Sequence, residues 1–242
     1  MLKEAIEKIE EMARPVRVEK DGHIYSVTPN GYTEICEKLD IPETMTVNSL
    51  DAMVKLVKTE ALKRFSPIYI HVPDHLTASA FLQINPDLRE TRLTLYKAAA
   101  VDVPGWDAEA KLPFERAAVA LQTRFQESQD RAYTLQLLSQ ITTGAKVTYN
   151  DTGIATTVVS QKGVSLQQNS TIRPLVKLRP YRTFQEVEQP EGIFLIRIDE
   201  RGISFVEADG GMWKLTARST IKEFFEEQFK EEIVAGLVVV ML

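Results

Sequence analysis

The chain ends in its longest apolar run, Ile233 to Leu242, interrupted only by the small residues Ala235 and Gly236. A helix that crosses a bilayer needs about 20 apolar residues, so this run is roughly half of one. Three consecutive valines, Val238 to Val240, sit inside it. β-branched side chains suit a pleated, packed surface better than a helix. The run therefore predicts a buried terminal strand. Such a strand needs either a large core in its own chain or the surface of a second copy.

The chain is long enough to supply that core. It has 242 residues, 44% hydrophobic and 26% charged, which suits one large domain or two small ones. These values exclude a disordered tail, a collagen-like fibre and a coiled-coil rod. Lys and Arg number 29 against 34 Asp and Glu, a net charge of −5. A mildly acidic protein gains little from global attraction to a polyanion, which leaves only a local basic patch for that role. Cys36 is the sole cysteine, so neither an intramolecular disulfide nor a multi-thiolate metal site is open to the chain. Residues 1–15 are rich in Glu and Lys and lack the apolar centre of a signal peptide. The expectation is a soluble protein of a reducing, cytoplasmic compartment, in a bacterium or an infected cell, with no membrane partner and no cofactor.

Residues 2–13 carry a helical apolar spacing, and residues 16–28 read as a hairpin turning at Asp21-Gly22. The clearest helix covers 48–65. Asn48 or Ser49 caps it, Asp51 sits in its first turn, and Leu50, Met53, Val54, Val57 and Ala61 form one stripe. Strands follow over 68–72, 79–84 and 92–101. Pro113 is placed to open a helix through Phe125, and a second helix covers 130–141, stopped at Gly144.

After residue 144 the character changes to short β-rich runs: 147–149, 154–159, 163–166, 172–178, 193–198 and 202–206, with turn residues between them. Asp209-Gly210-Gly211 predicts a hairpin, with Trp213 packing across it. A late helix over 219–231 and the terminal strand complete the chain. The prediction is an α+β fold: a mixed helix and strand region over 1–144 and an antiparallel β-rich region over 145–242, open to integration as one domain.

No phosphate loop, dinucleotide fingerprint or nucleophile elbow is present, so no residue is assigned a catalytic role and a non-enzymatic protein is favoured. His71, Asp74 and His75 are of metal-ligating type, but Pro73 breaks the helix that would put both imidazoles on one face. Two ordinary histidines in a loop is the plainer reading. Glu207 and Asp209 share a strand face and could hold Mg²⁺, but Asp-Gly-Gly is also turn chemistry. No metal residue is assigned.

The most informative stretch is 173–184. In a strand, Arg173, Lys177 and Arg179 share one face while Val176 and Leu178 take the other. Arg182, Tyr181 and Phe184 follow, and no acid occurs from 173 to 182. Guanidinium groups bind phosphate or carboxylate bidentately, and an adjacent ring stacks a base. Arg173, Lys177, Arg179, Tyr181, Arg182 and Phe184 are therefore the candidate ligand site. The competing reading pairs these cations with Glu186, Glu188 and Glu191 just downstream.

Several segments carry a family resemblance. They are Thr46-Val-Asn-Ser-Leu-Asp-Ala-Met-Val54, Phe114 with Phe125, Arg179-Pro-Tyr-Arg-Thr-Phe-Gln-Glu-Val-Glu-Gln-Pro-Glu191, Phe194-Leu-Ile-Arg197 and Glu207-Ala-Asp-Gly-Gly-Met-Trp213. In this pattern the chain resembles the YfdQ-like family of uncharacterised bacteriophage and prophage proteins. The resemblance implies a phage setting and no catalytic residue. The expected function is that of a phage accessory protein, homo-oligomeric, that sequesters a nucleotide-like anion or blocks a host protein to counter host defence. The alternatives are an accessory protein for single-stranded DNA in recombination and a metal-assisted hydrolase.

Overall fold

The computed structural model describes residues 3–4, 8, 16–20, 23–28, 31–34, 43–65, 67–84, 92–106, 110–143, 146–151, 156–161, 167–171, 173–199 and 201–242. The chain forms two compact units, Met1–Pro42 and Glu43–Leu242. In the first, β1 (Val16–Lys20), β2 (His23–Thr28) and β3 (Gly31–Glu34) make an antiparallel sheet in that order. Lys20 pairs with His23, so β1 and β2 form the expected hairpin. The turn residues Asp21 and Gly22 lie outside the described residues, as does most of the helix expected over 2–13.

The second unit runs β4 (Met45–Val47), α1 (Leu50–Thr59), β5 (Ile68–His71), β6 (Thr77–Leu82), β7 (Thr94–Ala99), α2 (Phe114–Arg124), α3 (Gln129–Thr143), β8 (Lys146–Asp151), β9 (Thr156–Gln161), β10 (Gln167–Thr171), β11 (Leu175–Leu178), β12 (Gly192–Asp199), β13 (Gly202–Glu207), α4 (Met212–Gln228), α5 (Lys230–Val234) and β14 (Val238–Met241). The fold is α+β. The expected strand at 163–166 and the stop at Gly144 fall outside the described residues. No helix among the described residues is long and apolar enough to cross a membrane.

A five-stranded mixed sheet, in the order β14-β5-β6-β7-β4, carries the first core. α1 starts where its sequence predicts: the Ser49 hydroxyl accepts from the Ala52 N–H at 3.0 Å, and Leu50, Met53, Val54 and Val57 turn inward. They meet Ile68, Ile70, Ala78, Ala80 and Ala98 of the sheet, with Ile221, Phe225 and Phe229 from the C-terminal helical region. Burying one such aliphatic or aromatic side chain contributes roughly 1.5–3 kcal/mol.

β14 pairs in parallel with β5, through Ile68 N–H to the Leu237 carbonyl at 2.9 Å and Val72 N–H to the Met241 carbonyl at 3.0 Å. The strand is shorter than expected, because Ile233 and Val234 belong to α5 and the chain reverses at Gly236, whose φ is +71°. That left-handed conformation suits glycine.

The second core lies between α2, α3 and the antiparallel sheet β11-β12-β13. Leu121, Leu138, Val176, Phe194, Ile203 and Phe205 are its centre. Leu112 adds a short bridge to β13, exchanging hydrogen bonds of 2.8 and 2.9 Å with Ile203. Pro113 caps α2 from outside rather than forming its first turn. β10-β9-β8 form a third, antiparallel sheet. The first core draws Phe184 and Val238 to residues before 100, and the second joins α2 and α3 to β11–β13. Both therefore cross position 144.

The hairpin expected at Asp209-Gly210-Gly211 is instead a strand-to-helix turn. Gly210 and Gly211 take φ of +63° and +79°, and α4 begins at Met212 rather than at 219. Trp213, Ala217, Ile221 and Phe225 recur every fourth residue and are all buried. A helical stripe of that length outweighs the local hairpin signal.

Candidate functional site

The candidate ligand strip divides into two sets facing opposite ways. β11 alternates as expected, with Val176 and Leu178 inward and Leu175 and Lys177 outward. Outside, every strip cation has an acid. Arg173 Nη2 donates to Asp130 Oδ1 at 2.8 Å, and its guanidinium lies 4.6 Å from the Tyr133 ring centre. Lys177 Nζ stands 3.3 Å from Glu191 Oε1, and its backbone N–H donates to Asp130 Oδ2 at 2.7 Å. Arg179 bonds Glu188 and reaches Glu191 Oε2 at 3.5 Å. Three acids thus neutralise three cations. Exposed pairs of this kind contribute about 0–1 kcal/mol each and leave little field for a phosphate. Glu186 stands apart from the network: its Oε1 accepts the Leu50 N–H at 2.9 Å, at the start of α1.

Inside, Phe184 is 2% exposed and belongs to the first core, so its ring is not open to a base. Tyr181 is partly buried, with its N–H donated to the Arg124 carbonyl at 2.9 Å. Arg182 is 8% exposed. Its Nη1 donates to Glu207 Oε1 at 2.6 Å, and its Cζ lies 3.8 Å from the Trp213 ring centre. Trp213 Nε1 donates to Glu207 Oε2 at 3.2 Å, and the His75 ring meets Trp213 edge to face at 4.8 Å. Burial pushes the His75 imidazole below its ordinary value; Lys214 and Arg182 add to this and Asp74 opposes it. Gly192 makes room for the guanidinium, since a Cβ there would stand 2.3 Å from Arg182 Nη2. Arg182 is therefore a buried structural cation held by an aromatic and a carboxylate.

The metal-type residues are likewise engaged. Glu207 accepts from Arg182 and Trp213, and Asp209 Oδ1 accepts from the Gly211 N–H at 3.0 Å. Asp74 accepts from the Leu76 N–H and the Thr77 hydroxyl, each at 2.7 Å. Burial raises its carboxyl, but those hydrogen bonds outweigh it and hold the group below its ordinary value. Among the described residues, no three His, Cys, Asp or Glu side chains are grouped to hold a metal.

A different place brings cations and an aromatic ring together. A cleft of about 510 Å³ opens along α2, lined by Trp106, Leu112, Glu115, Arg116, Val119, Ala120, Thr123 and Arg124. Trp106 is fixed from behind, edge to face with Phe125 at 4.7 Å and tilted against Phe205 at 5.8 Å. Arg124 Nη1 donates to the Gly105 carbonyl at 2.9 Å, tying the loop to the helix. Arg116 is exposed and has no ion-pair partner among the described residues. Val119 is 59% exposed.

By residue type alone Glu115 and Arg116 read as a solvated helix face and Pro104-Gly105 as a loop. The overlooked signal is the spacing of Arg116, Val119, Ala120, Thr123 and Arg124 at i, i+3, i+4, i+7 and i+8, one continuous helix face. Comparison with known proteins returns no match: no protein-family model fits the chain, and neither a curated protein nor a solved structure is similar to it.

Proposed function

We propose that the chain is a non-enzymatic binding protein that holds a small anionic, nucleotide-like ligand in the cleft of Trp106, Arg116 and Arg124. The observation that carries this reading is the meeting of an indole and two guanidinium groups in one cleft of about 510 Å³. That is within the range of about 300–1,000 Å³ of small-molecule sites. An indole stacks planar rings, and a guanidinium recognises phosphate or carboxylate through paired hydrogen bonds. The strip at 173–179 lacks this quality, because its cations already face Asp130, Glu188 and Glu191.

On the residue pattern at 179–191 and 207–213, the setting is a phage accessory protein acting in the host cytoplasm. Sequestering a nucleotide signal of host defence, or blocking a host protein, is the role that suits a binder without catalytic groups. A homo-oligomer is part of the same proposal.

Calorimetric titration of the full chain with mono- and dinucleotides tests the ligand. Binding at micromolar level is expected, and Arg116→Ala should weaken it about tenfold, equivalent to ~1.4 kcal/mol. Arg173→Ala should leave it unchanged. Wild-type protein that binds no nucleotide, or binding lost through Arg173→Ala but not Arg116→Ala, overturns the assignment.

A further inference from the structure

The five-stranded sheet has two faces of opposite character. Ile68, Ile70, Ala78, Ala80, Ala98 and Val238 are buried against the first core. Alternation puts Tyr69, His71, Ser79, Phe81 and Lys97 on the other face, and each is partly or fully exposed. The ladder aligns them in rows: Tyr69 faces Phe81, His71 faces Ser79, and Ser79 faces Lys97. Thr46 lies beside Lys97, and Val239 and Met241 beside Tyr69 and His71. None of these positions is Asp or Glu, in a chain whose net charge is −5.

Tyr69 and Phe81 form an aromatic tile. Their ring planes differ by 7° and their centres lie 5.7 Å apart. The Arg92 guanidinium lies 5.7 Å from the Tyr69 centre and 5.4 Å from the Phe81 centre. Neither Arg92 nor Lys97 has an acid partner among the described residues. This is the reverse of the strip at 173–179, where every cation is neutralised.

We propose that this open face binds single-stranded nucleic acid. Bases stack on the Tyr69–Phe81 tile in place of the Arg92 guanidinium that lies over it, and the displaced Arg92 meets the phosphates together with Lys97. Paired aromatics on adjacent strands of a one-sided sheet stack about two or three unpaired bases. Lys97 lies two strands from Tyr69, about 10 Å across the sheet, so it reaches a backbone that runs over the tile. A duplex keeps its bases stacked on one another and offers none to the rings. A protein partner would call for a wider apolar patch than a row shared with His71, Ser79 and Lys97. The proposal stands apart from the nucleotide cleft, since the two share no residue.

Fluorescence anisotropy of a labelled thymidine decamer with the full chain, starting at about 20 mM salt, tests it. Wild-type protein is expected to bind. With two phosphate contacts, log K should fall with log salt at a slope of about −1.4, at ~0.7 per phosphate. Lys97→Ala should reduce that slope by about 0.7. Tyr69→Ala should weaken binding about tenfold with the slope kept. Tyr69→Phe should retain affinity, which separates stacking from damage to the fold; thermal melts of each variant check the same point. Arg116→Ala should leave decamer binding unchanged, so this face and the cleft fail or succeed separately. Absence of binding at low salt, equal binding of a duplex of the same length, or indifference to both Lys97→Ala and Tyr69→Ala overturns the proposal.

Discussion

Arg182 sits between Trp213 and Glu207, with Nε and Nη2 buried and lacking hydrogen-bond partners among the described residues. A guanidinium so placed depends on its one carboxylate. Removing one member of a buried pair costs about 3–5 kcal/mol, and partial exposure of Glu207 lowers that to about 2–3. Glu207→Ala should therefore lower the urea midpoint with an unchanged m value. Arg182→Met with Glu207→Leu should recover most of the loss, because an apolar pair of similar volume is often neutral. Equal stability of Glu207→Ala and wild type would show that the pair is idle. Much of this residue-scale detail was legible. Within β11 parity turns Lys177 outward and Leu178 inward, but past the end of that strand Arg182, Thr183 and Phe184 are buried in succession, which alternation does not predict. What hid it was treating six residues as one surface after the strand ends at Leu178. The pairing with Glu188 and Glu191 was legible from proximity in the chain; pairing with Asp130 was not, because α3 must first pack on β11.

At the scale of elements, β14 is an edge with its outer side open. Its contacts to β5 use the Leu237 and Met241 carbonyls, so the N–H and C=O groups of Val238 and Val240 face away. They have no partner among the described residues. From Ala235 to Leu242 there is no charge and no proline, the usual guards of an edge strand. The proposed homo-oligomer pairs two such edges antiparallel about a two-fold axis. Sedimentation equilibrium should then report a dimer, and Val239→Lys should shift it to monomer, since like charges would meet across the new ladder. A wild-type monomer at about 100 μM, a Kd range near −5.5 kcal/mol, would rule this arrangement out. The terminal strand itself was legible from its valines. Its parallel pairing with β5 was not, because register depends on a strand more than 160 residues away.

On the scale of the molecule, both cores lie wholly within residues 50–238. All five residues of β1 are exposed, so that strand adds no buried side chain of its own. A chain of residues 43–242 should fold by itself, with one cooperative thermal transition and a Tm within about 3 °C of the full chain, the shift that ~1 kcal/mol produces in a domain of this size. Loss of near-ultraviolet circular dichroism in that chain would show that the first unit is needed.

The order of residues along the chain is enough to specify the local elements: the α1 stripe and its Ser49 cap, the 16–28 hairpin, the alternation of β11 and the apolar terminal strand. These depend on spacing, β-branching and turn chemistry, all local properties. Which cations meet an acid follows only from packing. Arg173 meets Asp130 and Arg182 meets Glu207, whereas Arg92, Lys97 and Arg116 meet no acid among the described residues. Coulomb attraction depends on distance in space, and distance between residues far apart in the chain exists only once the cores have packed.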